Sequence, residues 1–433
     1  MTLATIRAAA AVLVPWGRQF AAAGAWRLYV VGGAVRSLLG GTPLGPRDEV
    51  DMTTDARPET VRRILGGWAD TVWTQGEQFG TVGCRRGQRT VEITTHRAEV
   101  YVEDSRRPEV TYGGDLLADL TRRDFTIGTM AFEVPASAAA AATTELIDPF
   151  GGREDLERGR LRTPRSAELS FSEDPLRILR AGRFVATLGL TAEPDLEAAM
   201  RRLRGRLAIV SAERCARELS LLLVAESPGA GADLLARTGV LVEIIPELAA
   251  SEPDAAAGVA LLDLVAPEES LRLAALLWAV PDVGASAGRL RFPGAVARRA
   301  GRIATAARSL LDAASAPSGD APVRRWAAEA GDVSAPAAQL ATAAAPDDAG
   351  VAGVAAFVER WEQLWSRGEL SALQPLSGSE VMAHLGIDAG PDVGAALRHL
   401  EELRIAGGPL DGDEARRRLS EWWERGRKRR ADR

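Results

Sequence analysis

A short apolar run that stops on two glycines constrains this chain more than any other feature. Leu28-Tyr29-Val30-Val31 has the composition of a buried strand, Gly32-Gly33 ends it, and Ala34 to Leu39 reads as helix. A strand turning on glycine into a helix is a unit of α/β structure. Backbone N–H groups at such a turn can approach a phosphate, and the helix N-terminus adds its positive end. Taken alone, Gly-Gly after a strand reads better as a plain tight turn. The next strand, Val50 to Thr53, sharpens the choice. Glu49 and Asp51 are two residues apart and point the same way, whereas Asp48 points to the other face. Two carboxylates beside a phosphate-binding turn are what divalent metals require when they clamp a phosphoryl transfer. A solvated, charged strand end is the competing account.

The rest of the first 150 residues continues the α/β pattern. Pro58 to Leu65 has helical periodicity, with Asp55 as its N-cap. Phe79-Gly80-Thr81-Val82-Gly83 and Thr90 to Thr95 read as strands joined by the turn Arg85-Arg86-Gly87, and Phe125 to Phe132 fits helix or strand. Beyond Pro149 the character changes. An arginine-rich helical region runs from Asp174 to Val224, with Leu176, Ile178, Leu179, Phe184 and Leu188 at helical spacing. Residues 151–220 hold 14 arginines against 11 acids, a local +3 in a chain of net charge −6. Helices continue to Ala314. Ser315 to Gly353, rich in Ala, Pro, Gly and Asp, predicts loosely ordered helix and linker. A final helical unit spans Phe357 to Trp423, punctuated by Gly386, Gly390-Pro391 and Gly407-Gly408-Pro409, before the basic run from Arg425 to Arg430. The expected class is α+β: a mixed α/β head over 1–150, then an all-helical neck (151–235), body (236–355) and tail (356–433).

Composition removes several chemistries. Of the 53 basic residues only Lys428 is lysine, so a Walker A site is excluded and anions fall to guanidinium forks or backbone amides. Two cysteines, Cys84 and Cys215, exclude a disulfide framework and a cysteine-rich zinc site. Three histidines, His96, His384 and His399, leave little for histidine–metal chemistry. Ala8 to Trp16 is apolar, but Pro15, Arg18 and Gln19 cut it short, so it reads as an amphipathic first helix and not as a signal peptide. No apolar stretch has transmembrane length, and the chain is expected to be cytoplasmic, with no membrane partner.

Further blocks carry a resemblance. Tyr29-Val30-Val31-Gly32-Gly33-Ala34-Val35-Arg36, followed by Glu49-Val50-Asp51-Met52-Thr53-Thr54-Asp55-Ala56, resembles the head of class II CCA-adding tRNA nucleotidyltransferases and their poly(A) polymerase relatives. Phe79-Gly80-Thr81-Val82, Val91 to Arg97, Arg122-Arg123-Asp124-Phe125-Thr126, Leu146 to Gly152, Glu173-Asp174-Pro175-Leu176-Arg177 and Ser211-Ala212-Glu213-Arg214 are similar to its later blocks, in order. The resemblance implies a nucleotidyltransferase that adds C and A to tRNA 3′ ends from CTP and ATP. It implies Glu49 and Asp51 as the catalytic pair binding Mg²⁺, with Glu92 a third carboxylate or a structural one. Gly32, Gly33, Arg36, Arg123, Asp124, Asp174, Arg177, Arg180 and Arg183 become nucleotide-binding residues, Arg123 on phosphate and Asp124 on the ribose 2′-hydroxyl. The partner is the 3′ end and acceptor arm of tRNA, held along the arginine-rich neck by residues such as Arg214 and Arg217 and reaching the last helices. Read from the residues, Asp174 and Arg177 at i and i+3 share one helical face. A carboxylate accepting from an exocyclic amine and a guanidinium donating to ring atoms can read a Watson–Crick edge; such a pair is equally an ordinary surface salt bridge. Arg180 and Arg183 serve the nucleotide or only pair with acids.

Four departures from the family pattern stand out, three single positions and one region. Glu49 stands where the family has aspartate, Ser37 where an acid follows Val-Arg, and Gly128 where asparagine closes the Arg-Arg-Asp-Phe-Thr block. Leu273 to Ala279 resembles the helix bearing the His-Asp pair of an HD phosphohydrolase, with Trp278 and Ala279 in those places, so the body reads as a degenerate HD-like region without that activity. The first three changes thin the polar lining of the head. They leave open a nucleotidyltransferase turned to another acceptor, or a catalytically impaired RNA- or nucleotide-binding paralogue. Oligomeric state is not encoded in any recognisable motif.

Overall fold

The computed structural model describes residues 3–77, 80–100, 109–112, 115–250, 252–315, 319–370 and 375–431; Phe79 lies outside them. Two compact units divide the chain, Met1–Ile244 and Ile245–Arg433.

The first unit opens on α1 (Ala4–Ala22), which buries Ile6, Ala10, Leu13 and Phe20 along one face, the stripe expected of an amphipathic helix. There follow β1 (Leu28–Val31), α2 (Gly33–Leu39), β2 (Val50–Thr54), α3 (Pro58–Leu65), β3 (Thr71–Trp73), β4 (Thr81–Arg86) and β5 (Arg89–Thr95). The hairpin of β6 (Arg97–Val100) and β7 (Glu109–Tyr112) pairs separately. Next come α4 (Leu116–Thr121), β8 (Ala131–Glu133) and α5 (Ala138–Ala142). Six strands form one mixed sheet in the order β3-β4-β5-β2-β1-β8, with β2 and β5 parallel and the other neighbours antiparallel. One face of β2 and β5 supplies Val50, Met52, Val91 and Ile93 to a core shared with α1.

Local readings shift in three places. Arg57, not Asp55, stands at the N-cap of α3, and no side chain caps it. Pro58 starts the helix with its fixed φ, so Asp55 is released to accept from the Arg27 N–H at 2.9 Å. The hairpin turn falls at Gly87-Gln88, because β4 runs on through Arg86 to pair with Arg89. Phe125 to Phe132 becomes both a 3₁₀ turn, Thr126–Gly128, and strand β8.

After the sheet, the first unit continues through α6 (Gly152–Glu157), β9 (Arg160–Leu161), α7 (Ala167–Glu173), α8 (Leu176–Leu188), β10 (Thr191–Ala192), α9 (Pro194–Leu203), α10 (Ala212–Leu223), α11 (Pro228–Arg237) and α12 (Val240–Ile244). The two-residue strands β9 and β10 pair in parallel. Helix α8 is the hub. It is keyed to α11 by two buried glycines: a Cβ on Gly231 would fall 2.3 Å from the Gly182 carbonyl oxygen, and one on Gly182 would fall 2.7 Å from Leu235.

The second unit is helical among its described residues: α13 (Glu252–Leu261), α14 (Glu269–Leu276), α15 (Val283–Arg289), α16 (Gly294–Ala314), α17 (Asp320–Ala330), α18 (Ser334–Ala344), α19 (Asp348–Ser366), α20 (Gly378–Leu385), α21 (Pro391–Gly407) and α22 (Gly412–Ala431). The stretch Ser315 to Gly353, expected as loosely ordered helix and linker, is helical through most of its described residues, in α17, α18 and the start of α19. Its alanines are core residues: Ala330, Ala337, Ala338 and Ala341 are buried beside Val323 and Leu340, and small side chains let the helices close together. Trp326 anchors the packing, its Nε1–H donating to the Ala306 carbonyl at 2.8 Å.

Trp278 and Ala279 follow α14 in a turn. The Arg308 guanidinium lies over the Trp278 ring at 5.1 Å and donates to the carbonyls of Trp278 (2.6 Å), Val280 (2.8 Å) and Pro281 (3.0 Å). The histidines serve elsewhere: His384 Nε2 meets the Arg416 carbonyl and Ser420, His399 stacks on Trp422, and His96 is buried beside Tyr29. Among the described residues, no three His, Cys, Asp or Glu side chains converge as a metal site, and no helix is long and apolar enough to cross a membrane.

Candidate active site

Asp51 is the one exposed residue of β2. Strand register sets it opposite Glu92 of β5, and Glu92 in turn opposite Gly83 of β4. Glu49 is exposed one residue before the strand begins. Although Asp51 is solvent-accessible, the protein around it desolvates the carboxylate and pushes its pKa up; Arg123 opposes this and Glu49 adds to it. Burial pushes Glu92 up as well, with Asp51 and Glu49 contributing. The three acids therefore feel one another through space. Hard carboxylate oxygens that repel each other are chemistry a divalent cation would relieve, with substrate phosphates completing its shell. Since no three acids converge as a ligand set among the described residues, Glu49 and Asp51 would fit such an ion as a pair completed by substrate oxygens.

The glycine turn adjoins this acidic edge. Gly32 sits at φ +69°, a left-handed conformation that glycine adopts without the Cβ penalty, and its carbonyl accepts from the Arg36 N–H at 3.2 Å. A Cβ on Gly32 would lie only 3.6 Å from Arg123 Nη1, so turn and guanidinium are neighbours. Arg123 is steered there by Asp119, which accepts from its Nη2 at 3.1 Å and from Arg122 at 2.6 and 3.1 Å. Asp119 is fully buried. Burial alone would push its pKa up, but Arg123 and Arg122 together outweigh that and hold it below the ordinary carboxylate value. The sequence reading missed Asp119, although its spacing of three and four residues from two arginines was a usable signal.

A second network surrounds Phe184. Arg180 grips Asp124 Oδ2 with Nε (2.9 Å) and Nη2, while Asp124 Oδ1 accepts the Phe125 N–H at 2.9 Å. Glu218 of α10 receives Arg180 Nη1 at 3.3 Å and Arg183 Nε at 2.6 Å. The guanidiniums of Arg183, Arg36 and Arg180 stand 4.3, 5.5 and 5.6 Å from the Phe184 ring. Arg36 is held below the usual arginine value by burial, with Arg183 and Arg180 pushing the same way and Asp124 opposing. Arg180 and Arg183 thus do pair with acids, and they do so within reach of Arg36. Glu218 was also missed: Arg214 lies four residues before it, which suggests a pair within one helix, yet Glu218 bonds across to α8.

Asp174 and Arg177 do not share a helix. Asp174 ends α7 with extended backbone (φ −136°, ψ 96°), because the residue before a proline is driven from helical geometry, and α8 begins at Leu176. The Asp174 carboxylate accepts the Leu176 N–H at 3.2 Å and lies 3.8 Å from Arg214. Arg177 is buried and turned toward Ser170 and the Arg122 carbonyl. Among the substituted positions, a Cβ on Gly128 would meet Asp124 Oδ1 at 3.3 Å, Ser37 is exposed on α2, and Arg217 is exposed on α10.

The head and neck match known families. A model described as the poly A polymerase head domain matches residues 28–162, and one described as the probable RNA and SrmB-binding site of polymerase A matches 189–252. The CCA-adding enzyme of Geobacillus stearothermophilus is 41% identical over 225 residues, 52% of each chain, and that of Bacillus subtilis (strain 168) is 36% identical over 217 residues, 50% of this chain and 51% of its own. The chain thus matches about half the length of these curated relatives. The crystal structure of the Bacillus stearothermophilus CCA-adding enzyme in complex with CTP superposes with a TM-score of 0.73 at 28% identity, covering 98% of both chains. The Thermotoga maritima CCA-adding enzyme complexed with tRNA shares the fold, with a TM-score of 0.66 at 20% identity over 95% of both chains.

Proposed function

We propose that this chain, which belongs to the family of class II CCA-adding tRNA nucleotidyltransferases and poly(A) polymerases, adds C and A to the 3′ ends of tRNA from CTP and ATP. The observation that carries the reading is the junction of three elements where the interior strand β1 ends and its antiparallel neighbour β2 begins: the acids Glu49 and Asp51, the Gly32 turn with Arg123 against it, and the arginine–acid network of α8. Acid alone, or arginine alone, would serve many proteins. Their adjacency suits a nucleoside triphosphate with its cation.

In this reading Glu49 and Asp51 hold Mg²⁺. The ion, when bound, supplies the lowered pKa of the primer 3′-hydroxyl and charge compensation for the departing pyrophosphate. Arg123, already steered by Asp119, receives phosphate beside the backbone N–H groups of Gly32 and Gly33. Asp124 accepts from the ribose hydroxyl on a lone pair that its bonds to Arg180 and the Phe125 N–H leave available. Arg36, Arg180 and Arg183 supply positive charge that Asp124 and Glu218 only partly balance, and that surplus favours a triphosphate. Asp174 and Arg177, on either side of the Pro175 turn, read the base edge, Arg177 with the N–H donors that Ser170 and the Arg122 carbonyl do not take. Arg214 and Arg217 extend the positive surface toward RNA.

The test is extension of a tRNA lacking its terminal CCA by purified protein with Mg²⁺, CTP and ATP, resolved at single-nucleotide length. Addition of C, C and A supports the proposal. No extension, with pyrophosphate released onto some other acceptor, would transfer the head to a different substrate. No turnover at all, rescued by Glu49→Asp, would locate the fault in the metal-binding acid.

A further inference from the structure

Arg177 has five N–H donors to place, and three of its hydrogen bonds are directed into the protein. Nη1 donates to the Ser170 hydroxyl at 2.9 Å and to the Ser170 carbonyl at 3.3 Å, and Nη2 donates to the Arg122 carbonyl. Glu173 approaches Nη1 at 3.8 Å but is itself bonded to Arg165. Ser170 is 2% exposed and Arg177 8%, so water competes little for these bonds. Two of the acceptors are backbone carbonyls. Among the described residues the Ser170 hydroxyl is the one hydrogen-bonded side-chain acceptor, so it is the contact that a side-chain substitution can remove.

A planar guanidinium turns only as far as its bonds allow, and at Nη1 the shorter bond, 2.9 Å to the Ser170 hydroxyl against 3.3 Å to the carbonyl, is the one that limits it. Cytosine offers ring N3 and O2 as acceptors beside its amine; adenine offers N1 beside an amine placed differently. One guanidinium serves both only if it can tilt between two settings. We propose that Ser170 is a positioning residue that sets the rotation of the Arg177 guanidinium and, through it, the balance between CTP and ATP. This rests on the base-reading role proposed for Arg177, and the experiment separates the two.

The measurements are equilibrium Kd for CTP and ATP, together with kcat and KM for addition to tRNA ending before CCA and after CC. They cover Ser170→Ala, Ser170→Thr, Arg177→Ala and the double variant, with thermal midpoints taken alongside. Loss of a hydrogen bond to a buried charged donor predicts a change of roughly tenfold in the CTP:ATP ratio for Ser170→Ala. Ser170→Thr, which keeps the hydroxyl, should restore the ratio. In the Arg177→Ala background, Ser170→Ala should add nothing. If Arg177→Ala shifts the ratio and Ser170→Ala does not, or if the two effects add, the role of Ser170 is overturned while base reading stands. If Arg177→Ala leaves the ratio untouched, base reading itself is overturned, and the proposal goes with it. Should the threonine methyl destabilise the buried site, the alanine cycle decides alone.

Discussion

Asp124 and Arg180, 56 residues apart in the chain, meet in a two-pronged ion pair that joins the turn after α4 to the middle of α8. The pair does more than close a contact. Arg180 passes the connection on to Glu218, and Glu218 to Arg183, so head and neck share one charged hydrogen-bond network.

The pH dependence of stability follows from this pair. Burial pushes the Asp124 carboxyl up, but Arg180 outweighs it, and the folded value lies below the ordinary one. A depressed acid contributes stability that is present above its unfolded pKa, about 3.9, and lost as pH falls through the lower folded value. The urea midpoint should therefore drop as pH is taken below about 4. Asp124→Asn should flatten that decline and cost about 2 kcal/mol at neutral pH, a breakage discounted for the partial exposure of Arg180.

Asp51 carries the opposite sign. Its raised pKa means that the protonated form suits the fold, a contribution present at low pH and lost as pH rises through the folded value. At neutral pH the charge is a net cost that the proposed divalent cation would offset. Asp51→Asn should raise the thermal midpoint of the metal-free protein by a few degrees while abolishing nucleotide transfer. Mg²⁺ should raise the midpoint of the wild type and leave that of the variant unmoved.

Glu218 is buried between two arginines, so Glu218→Gln keeps shape and removes charge. Arg180, Arg183 and Arg36 then repel with less to balance them around Phe184. We expect KM for ATP to change by about tenfold with little change in helix content by circular dichroism. An unaltered KM would mean that the network is structural only.

Arg308 fills the place beside Trp278 with a guanidinium stacked on the ring and bonded to three carbonyls. Arg308→Met should destabilise the second unit by about 2 kcal/mol, from carbonyls left without their donor. Phosphohydrolase activity against phosphomonoesters and cyclic phosphodiesters should stay at background with any transition metal supplied.

Much of the head was legible because its signals are local. The apolar run Leu28 to Val31, the glycine turn after it and the strand that follows need only a few consecutive residues, and β1, Gly32 and β2 bear them out, although Glu49 falls one residue before β2. What escaped lies across the fold. Asp119 and Glu218 matter through partners on other turns and helices, and a single sequence gives no distance between α8 and α10. Asp174 and Arg177 misled for a different reason: i and i+3 spacing implies a helix, whereas Pro175 breaks it between them. The alanine-rich stretch from Ser315 to Gly353 failed on composition, since small residues mark tight helix contacts as readily as they mark linkers.

The Gly182–Gly231 contact sets a limit on how this chain can vary. A methyl group on Gly231 would collide with the Gly182 backbone carbonyl, so that site is closed to substitution unless α8 retreats from α11, whereas one on Gly182 would require the Leu235 side chain to shift. Such a retreat would drag Arg177, Arg180 and Arg183 together, away from Asp124 and the Arg122 carbonyl. Two residues without side chains thus act as a gauge for three that carry charge. A library of neck variants selected for altered nucleotide choice should recover changes almost anywhere on α8 before it recovers one at Gly231 of α11.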